Sequence, residues 1–357
     1  WLPSAGPRTL AVVGVLTILV GSGILRLQTD PPLVDYFDPD GSIRPGLEAI
    51  DRSGGSSPLL MAVALPDGGR LDTFQGLAAM SQLQDSLEAD PATGVVLSPA
   101  PLLAHARQQP LAGFLPIAAL VAILERPEFG NLISSYMVPE RTEVLYALRM
   151  IESDRDQPRD EVVTRVTETT TRNGFTVVSV GGLYDLQGRL GTLIASSLRI
   201  GLGGLLLLFF GIAWIVSRSA RVSLWMLACL AAIPAIVLGL FGHLGIAVDI
   251  ITSPAANVAL AMGVDSMIHL VARTRELGAG EAATGAWATA RSQLAAPVLT
   301  AATVISLGFG IFALSDFPPT RRFGAAVILG SLTAATAALV VLPGLVARRE
   351  GAQPGEL

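Results

Sequence analysis

The sequence predicts an α-helical membrane protein with six transmembrane helices and a soluble α+β domain inserted between the first two of them. Hydrophobic residues make up 51% of the 357 residues and charged residues only 15%. The mean hydropathy of +0.57 is too high for an ordinary soluble domain. One apolar run lies near the start and five begin at or after Ile200, with a long polar stretch between. That uneven spacing indicates one crossing, a large domain outside the membrane and then five crossings.

The first apolar run covers residues 9–25 and is flanked by Arg8 and Arg26. It is close to the shortest length that crosses a bilayer, about 17 residues, so we expect the two arginines to lie at the interfaces. The run lacks the small-residue cleavage site of a signal peptide, and we do not expect it to be removed. Because the chain begins with Trp1, we expect a fragment, a processed chain or the ordered part of a longer one.

Residues 26–193 have the pattern of a soluble domain. Strand-like and helical periods alternate in the order β-α-β-β-α-β, which predicts a ferredoxin-like split unit. The predicted strands are 59–65, 95–97, 143–150 and 175–180, and the predicted helices are 71–87 and 161–171.

An apolar stretch at 111–124, with Pro116 inside it, lies between the second and third predicted strands. It is too short and too kinked to span a bilayer. It is either a core or interdomain helix, or a lip outside the bilayer that faces lipid or substrate.

The later apolar runs predict spans at 200–216, 224–244, 254–272, 295–314 and 323–346. Six crossings put both termini on one side of the membrane. Arginines in short loops are more numerous on that side, so we expect both termini, including the tail 347–357, to be cytoplasmic and the large domain to be extracytoplasmic. Residues 273–294 are then expected to form a cytoplasmic amphipathic helix that links two spans.

The composition argues against several other classes of protein. The net charge is −5 and no basic cluster is present, so we expect no nucleic-acid partner. Cys229 is the only cysteine and the three histidines are scattered, which leaves no disulfide and no metal cluster to expect. No nucleophile, base and orienting group occur together, so we expect neither an enzyme nor a cofactor.

Asp265 is the residue around which the rest is organised, because it interrupts the apolar run 254–272. Ser253 and Pro254 suit the N-cap and first turn of a helix. At 1.5 Å per residue, Asp265 lies roughly 16 Å from Pro254 and Arg273 roughly 12 Å further, which matches a bilayer core of about 30 Å. A carboxylate at mid-membrane must be protonated, paired or hydrated, and usually marks an ion or substrate path. The alternative is an inert, hydrogen-bonded carboxylate at a helix end.

Four polar residues are the candidate neighbours of that carboxylate. His269 shares its helix face at i, i+4, and Ser266 is turned by about 100°. His269 either passes a proton or is simply hydrated at the interface. Thr300 and Thr303 share a face of the next span at the depth of Asp265. They either join a hydrogen-bond network with it or bond back to their own helix.

Other polar groups receive weaker expectations. A metal pair made of Asp265 and His269 lacks further ligands in the sequence. We expect His243 and Asp249 to be solvated at the interface, with proton entry as the alternative, and Asn257 to bond between helices. Small residues at 255–256, 259–261 and 301–302 would let the helices approach closely.

Several segments resemble one half of a transporter of the resistance-nodulation-cell division (RND) superfamily, in particular its MMPL and hopanoid-exporter branch. The sequence GVDSMIHLVARTRE at 263–276 resembles the family pattern Gly-x-Asp-Tyr/Phe-x-x-x-Leu-x-x-Arg-x-x-Glu. Further likeness lies in LTAAT at 299–303, FPPTRRFG at 317–324 and LPGL at 342–345. The segments YFDPD at 36–40 and VLSP at 96–99 look like the extracytoplasmic domain of second halves.

The resemblance implies a role for each part. Asp265 would carry the proton, Thr300 and Thr303 would neighbour it, and the soluble domain would be the porter that handles an amphiphile. The expected partners are membrane lipids and a second RND-like half or another copy of the chain, in the inner (plasma) membrane of a bacterium. Ser266 departs from the family's usual aromatic residue, which argues against a Tyr-assisted relay.

Two functions follow from the resemblance. The first is half of a proton-motive-force-driven exporter of lipids or other hydrophobic compounds. The second is a non-transporting structural or lipid-sensing subunit of a larger membrane complex, suggested by the single-half length and by Ser266.

Overall fold

The computed structural model of the protein describes residues 6–110, 112–129, 132–153, 155, 157–278 and 285–347. The chain divides into two compact units, and each is described by itself. The membrane unit comprises Trp1–Pro31 and Gly191–Leu357, and the second unit comprises Pro32–Leu190.

The elements are numbered in chain order. Helices α1–α6 are Pro7–Gly21, Ile43–Gly54, Phe74–Glu88, Pro99–Arg107, Ile117–Leu124 and Arg159–Arg172. Helices α7–α12 are Leu183–Ser217, Ala220–His243, Pro254–Gly278, Ala286–Gly310, Pro318–Thr336 and Leu342–Ala347. Strands β1–β4 are Ser57–Ala64, Thr93–Leu97, Glu143–Met150 and Thr176–Gly181.

Within the described residues, six helices are long and apolar enough to cross a membrane. They are Pro7–Arg26, Leu183–Ser217, Ala220–His243, Pro254–Gly278, Ala286–Leu314 and Pro318–Val346. Each contains most or all of one predicted span, so the prediction of a multi-pass membrane protein with six spanning helices is confirmed.

Several helix ends differ from the predicted ones. Helix α7 begins at Leu183, well before the predicted start of its span, directly after Gly182 at a φ of +99°. The predicted linker 273–294 contains no separate helix among its described residues, because α9 continues to Gly278 and α10 begins at Ala286. Both helices continue into polar residues beyond their apolar parts, and a hydropathy profile does not assign those polar residues to a span. Residues 279–284 and the tail from 348 onward lie outside the described residues.

Helices of the membrane unit approach one another through small residues. A Cβ at Gly330 of α11 would overlap the Cβ of Ala259 on α9, and a Cβ at Gly242 of α8 would overlap the carbonyl oxygen of Gly23. Without water, close backbone packing is a main source of helix association in lipid. The predicted packing of small residues is confirmed at 255, 256, 259 and 302, which are buried, but not at 261 and 301, which are exposed.

The second unit contains a four-stranded sheet in the order β2-β3-β1-β4, with every neighbouring pair antiparallel. Leu59 of β1 pairs with Leu148 of β3, and both side chains are buried in the core. Helices α3 and α6 bury one face each, and Tyr146 donates from its hydroxyl to the carbonyl of Met80 at 2.8 Å. The coarse prediction, a mostly helical protein with a small antiparallel sheet, is confirmed.

The apolar stretch between β2 and β3 divides in two. Ile117, Leu120, Val121 and Leu124 of α5 are buried in the core of the second unit, as the core-helix alternative predicted. Phe114 is 91% exposed, so this end of the stretch lies outside that core, and the lip alternative stays a prediction. Leu111 lies outside the described residues.

One ion pair and one further carboxylate are fully buried among the described residues of the second unit. The Arg159–Glu152 ion pair is fully buried at 2.5 Å, and the Arg159 guanidinium lies 5.5 Å from the ring centroid of Tyr184. Asp51 of α2 is also fully buried and accepts hydrogen bonds from the amides of Glu152 and Ser153, at 2.9 and 2.6 Å. It therefore fastens α2 to the end of β3.

Hydrogen bonding sets the ionisation of Asp51. Burial raises the pKa of this carboxyl, but the hydrogen bonds from Ser153, Ser56 and Glu152 outweigh that effect, and the pKa lies below its usual value. Because its pKa is lowered in the folded state, ionised Asp51 stabilises the fold at pH values above the unfolded-state pKa near 3.8. That stabilisation is lost as the pH falls through the folded-state pKa.

Replacing Asp51 with alanine leaves buried amide donors without an acceptor. We expect Asp51→Ala to lower the free energy of unfolding of the second unit by about 1–3 kcal/mol. The difference from the wild type should narrow below about pH 4, measured by denaturant unfolding followed by circular dichroism.

The matched control is Asp85→Ala, because Asp85 is exposed and such changes are usually within about 0.5 kcal/mol. Equal effects of the two substitutions at neutral pH would contradict the role of Asp51.

Candidate functional site

The candidate site lies on α9, which is 25 residues long and carries Asp265 near its middle. Asp249 holds the turn that precedes this helix: its Oδ1 accepts from the amides of Ile251 and Thr252 at 2.9 and 2.8 Å. The Ser253 hydroxyl donates to the carbonyl of Ile250 at 3.5 Å. The helix therefore starts where the sequence predicted, with Asp249 organising the turn.

The expectation that Asp249 is solvated is wrong. The residue is fully buried, and its Oδ2 has no hydrogen-bond partner within the described part of the chain. Its Oδ1 is committed to the turn, which draws the side chain inward. His243 is exposed, as expected, and its Nε2 lies 3.0 Å from the carbonyl oxygen of Leu19.

Asp265 and His269 form the predicted i, i+4 pair. Oδ1 of Asp265 lies 3.4 Å from Nε2 of His269, and the two side chains are 77% and 68% exposed. The pair thus lies on the outward face of the membrane unit. Ser266, turned toward the side of the helix, is half-buried and has no hydrogen bond among the described residues.

The opposite face of α9 fixes this orientation. Ala259, Gly263 and Met267 recur every four residues and are buried against neighbouring helices. A Cβ at Gly263 would meet the side chain of Ile233 on α8. Because residues two positions apart on a helix point to nearly opposite sides, this seam turns Asp265 outward.

Asn257 is the residue that the sequence argument missed as a member of the polar face. It is exposed, and so are Ala261, Asp265 and His269, each four positions after the one before. Asn257 makes no side-chain hydrogen bond within the described part of the chain, so the expected bond between helices is not observed. The four-residue spacing in the sequence is the signal that groups these side chains.

Helix α10 brings Thr300 and Thr303 to the level of Asp265. The Nε of Arg273 donates to Oε1 of Gln293 at 2.8 Å, which fixes the relative height of α9 and α10. From that contact, Asp265 lies about 12 Å along α9, and the two threonines lie about 10 and 15 Å along α10. This count agrees with the sequence estimate of equal depth, which stays a prediction.

The two threonine hydroxyls are exposed and form no hydrogen bond with any described residue. Neither the predicted bond to Asp265 nor bonding back to their own helix is observed. Together with Asp265, His269 and Asn257 they leave polar groups on two neighbouring helices facing away from the bundle. Such groups can be covered by another protein surface or hydrated by a chain of water molecules, and the carboxylate and the imidazole can also bind a proton.

Among the residues that the structure describes, no group of three or more His, Cys, Asp or Glu side chains is placed to hold a metal ion. The site's chemistry rests on a carboxylate, an imidazole and hydroxyls, which are proton-handling groups.

A comparison with protein-family models matches residues 47–349 to the MMPL family. The chain belongs to the MMPL family. The match includes every residue of the candidate site and all the spanning helices except α1. No curated protein matches the chain. MMPL membership places the protein among RND-superfamily membrane transporters and gives it a transporter-type role for hydrophobic substrates.

The seam behind Asp265 has a direct test. We expect Gly330→Ala to lower the free energy of unfolding in detergent by about 1–3 kcal/mol, because the new methyl group overlaps Ala259. The unfolding temperature should fall with it. Gly211→Ala on α7 is the matched control, since nothing lies within 4 Å of its Cβ position. It should be neutral or stabilise by up to about 1 kcal/mol.

The measurement is the unfolding temperature of each purified variant. If both glycine substitutions moved it in the same direction and by the same amount, α9 would not be seated as described.

Proposed function

We propose that this chain is half of an exporter of lipids or other hydrophobic compounds, driven by the proton motive force, with Asp265 as the proton carrier. The observation that carries the proposal is the outward-facing Asp265–His269 pair near the middle of a membrane-spanning helix. The role is transport and not catalysis. The proposed location is a bacterial inner membrane, with cytoplasmic termini and a periplasmic large unit.

The exposure of Asp265 supports the need for a partner. A charged aspartate at the centre of a span costs about 2.5–3.5 kcal/mol on insertion scales, and residues of this kind almost always face a protein interior or water. Asp265 is 77% exposed on the surface of the described unit. We infer that a second RND-like half, or another copy of this chain, covers the face formed by Asn257, Asp265 and His269.

Protonation of Asp265 supplies the coupling. Moving one elementary charge through the membrane potential yields about 2.3 kcal/mol per 100 mV, enough to bias a conformational equilibrium of a few kcal/mol. His269, Ser266, Thr300 and Thr303 offer the nearby polar groups along which a proton or water would pass. In the proposal, the neutralised carboxyl tolerates a helix arrangement that the charged one does not.

The second unit is proposed to be the porter. Its strands and helices follow the order β-α-β-β-α-β, with α4 and α5 inserted between β2 and β3. That order and the sheet order β2-β3-β1-β4 support a ferredoxin-like porter domain inserted between α1 and the later spans. The exposed Phe114 beside α5 offers an apolar surface for a hydrophobic substrate.

One observation favours a second candidate function, a structural or lipid-sensing subunit without transport. Neither Thr300 nor Thr303 forms a hydrogen bond with Asp265 in the described structure. A proton relay through them would need such bonds or intervening water. In that case Asp265 would serve assembly alone.

The test of transport is proton flux into proteoliposomes that contain a pH-sensitive dye. With an imposed pH gradient, Asp265→Asn should reduce protein-dependent proton entry by at least about 100-fold, the usual order of a lost proton-transfer group. Asp316→Asn is the matched control, because Asp316 is exposed and lies outside the spans, and it should keep the wild-type rate. Wild-type flux in Asp265→Asn, with assembly intact, would refute transport and favour the structural subunit.

The covered face has its own test. On a Cys229→Ala background, Ala261→Cys places a thiol one turn from Asp265 on the exposed face, and it should cross-link to a second chain in native membranes. Ala259→Cys is the control, since Ala259 is buried and should give no such product. Failure of Ala261→Cys to cross-link to any protein would contradict a partner at this face.

A further inference from the structure

A second feature of the membrane unit lies away from the candidate site. An apolar groove of about 600 Å³ is lined by residues of α1, α8, α11 and α12 and of the segment between the last two. None of the residues that line it lies on α9 or α10. Pockets of about 300–1,000 Å³ hold small organic ligands, so this groove has room for a ligand or for a lipid chain.

The walls of the groove present mainly hydrocarbon. The hydroxyls of Thr333 and Thr336 donate to carbonyls of their own helix, at 2.7 and 2.8 Å, so these polar atoms are already satisfied. One wall includes Ala337 and Val341, the ends of a π-helical segment that joins α11 to α12. Segments of this kind occur frequently at functional sites.

The groove runs along the axes of α1 and α8 over a length close to that of one leaflet. Leu10 and Trp225 lie at one end, and Ile18 and Ile236 lie at the other. The separation along α1 is about 12 Å and along α8 about 16 Å, compared with about 15 Å for half of a bilayer core.

A positive charge lies at the end near Trp225. Arg221 is four residues before Trp225 and therefore on the same face of α8. Arg8 is at the same end of α1, but it is two residues before Leu10 and so lies on the opposite face of its helix, away from the groove. Both arginines are exposed, and neither forms an ion pair or side-chain hydrogen bond with a described residue. Trp225 is 38% exposed and is of the residue type that anchors proteins at the membrane interface.

We propose that this groove binds one anionic phospholipid from the leaflet on the N-terminal side of α1. An acyl chain fills the apolar groove, and the phosphate binds the guanidinium of Arg221, with Trp225 at the level of the ester groups. Arginine is suited to phosphate because its planar fork donates two parallel hydrogen bonds. The occupant is a resident lipid, and the proposal does not depend on proton transport.

The experiment is native mass spectrometry of the purified protein, titrated in detergent with phosphatidylglycerol or with phosphatidylcholine of the same acyl chains. We expect one phosphatidylglycerol to be retained in preference to phosphatidylcholine. The substitution Arg221→Gln should weaken phosphatidylglycerol binding about fivefold and remove the preference. Arg199→Gln, which removes an exposed arginine near the other end of the membrane, should change neither.

A second variant tests the groove itself. Ala228→Trp places an indole among the lining residues and should abolish retention of both lipids. Ala11→Trp is the matched control, because Ala11 is exposed on α1 but does not line the groove. Asp265→Asn should leave lipid retention unchanged, so failure of the transport proposal and failure of this one are distinguishable.

Three results would overturn the proposal. They are equal retention of the two lipids by the wild type, a loss in Arg221→Gln no larger than in Arg199→Gln, and unchanged retention in Ala228→Trp. Loss of an oligomer in Ala228→Trp without any change in bound lipid would assign the groove to a second protein chain instead.

Discussion

A carboxylate within the hydrocarbon of a bilayer needs a proton, a counter-charge or a cover, and this requirement governs the membrane unit. Asp265 has His269 beside it at 3.4 Å and little else, because both side chains face outward. The rest of α9 is arranged to hold them there: small residues on its opposite side let α8 and α11 come close. The same small-residue face of α9 therefore packs the helices together and leaves Asp265 exposed.

The spans could be predicted from the sequence because a segment in lipid must form its backbone hydrogen bonds internally, as a helix does, and must carry apolar side chains. Apolar runs long enough to cross a bilayer therefore indicate the spanning helices. The helix ends could not. Helix α7 starts at Leu183 and α10 starts at Ala286, inside stretches that are polar enough to escape a hydropathy window. The order of strands and helices in the second unit could be predicted because period-two and helical patterns alternate there. The buried hydrogen bonds of Asp51 could not be predicted, because they join residues about a hundred positions apart.

Spacing alone was enough to predict the Asp265–His269 pair, since i, i+4 residues on a helix are always neighbours. It was not enough to predict which way the pair points, because that depends on how the whole helix is rotated about its axis. The same limit applies to Thr300 and Thr303, whose depth follows from counting residues but whose hydroxyls find no described partner. Asp249 was misjudged because a carboxylate next to a helix start can turn inward to organise the chain, and composition does not record that choice.

The π-helical segment between α11 and α12 sets the rotation of the residues that follow it in the groove wall. The amide of Leu342 donates to the carbonyl of Ala337, five residues back, where an α-helix would reach back only four. Reverting to ordinary helical bonding would rotate every later residue by about 100° about the axis. Leu345 would then leave the groove. The shape of this groove is thus tied to the helical register at the junction of α11 and α12.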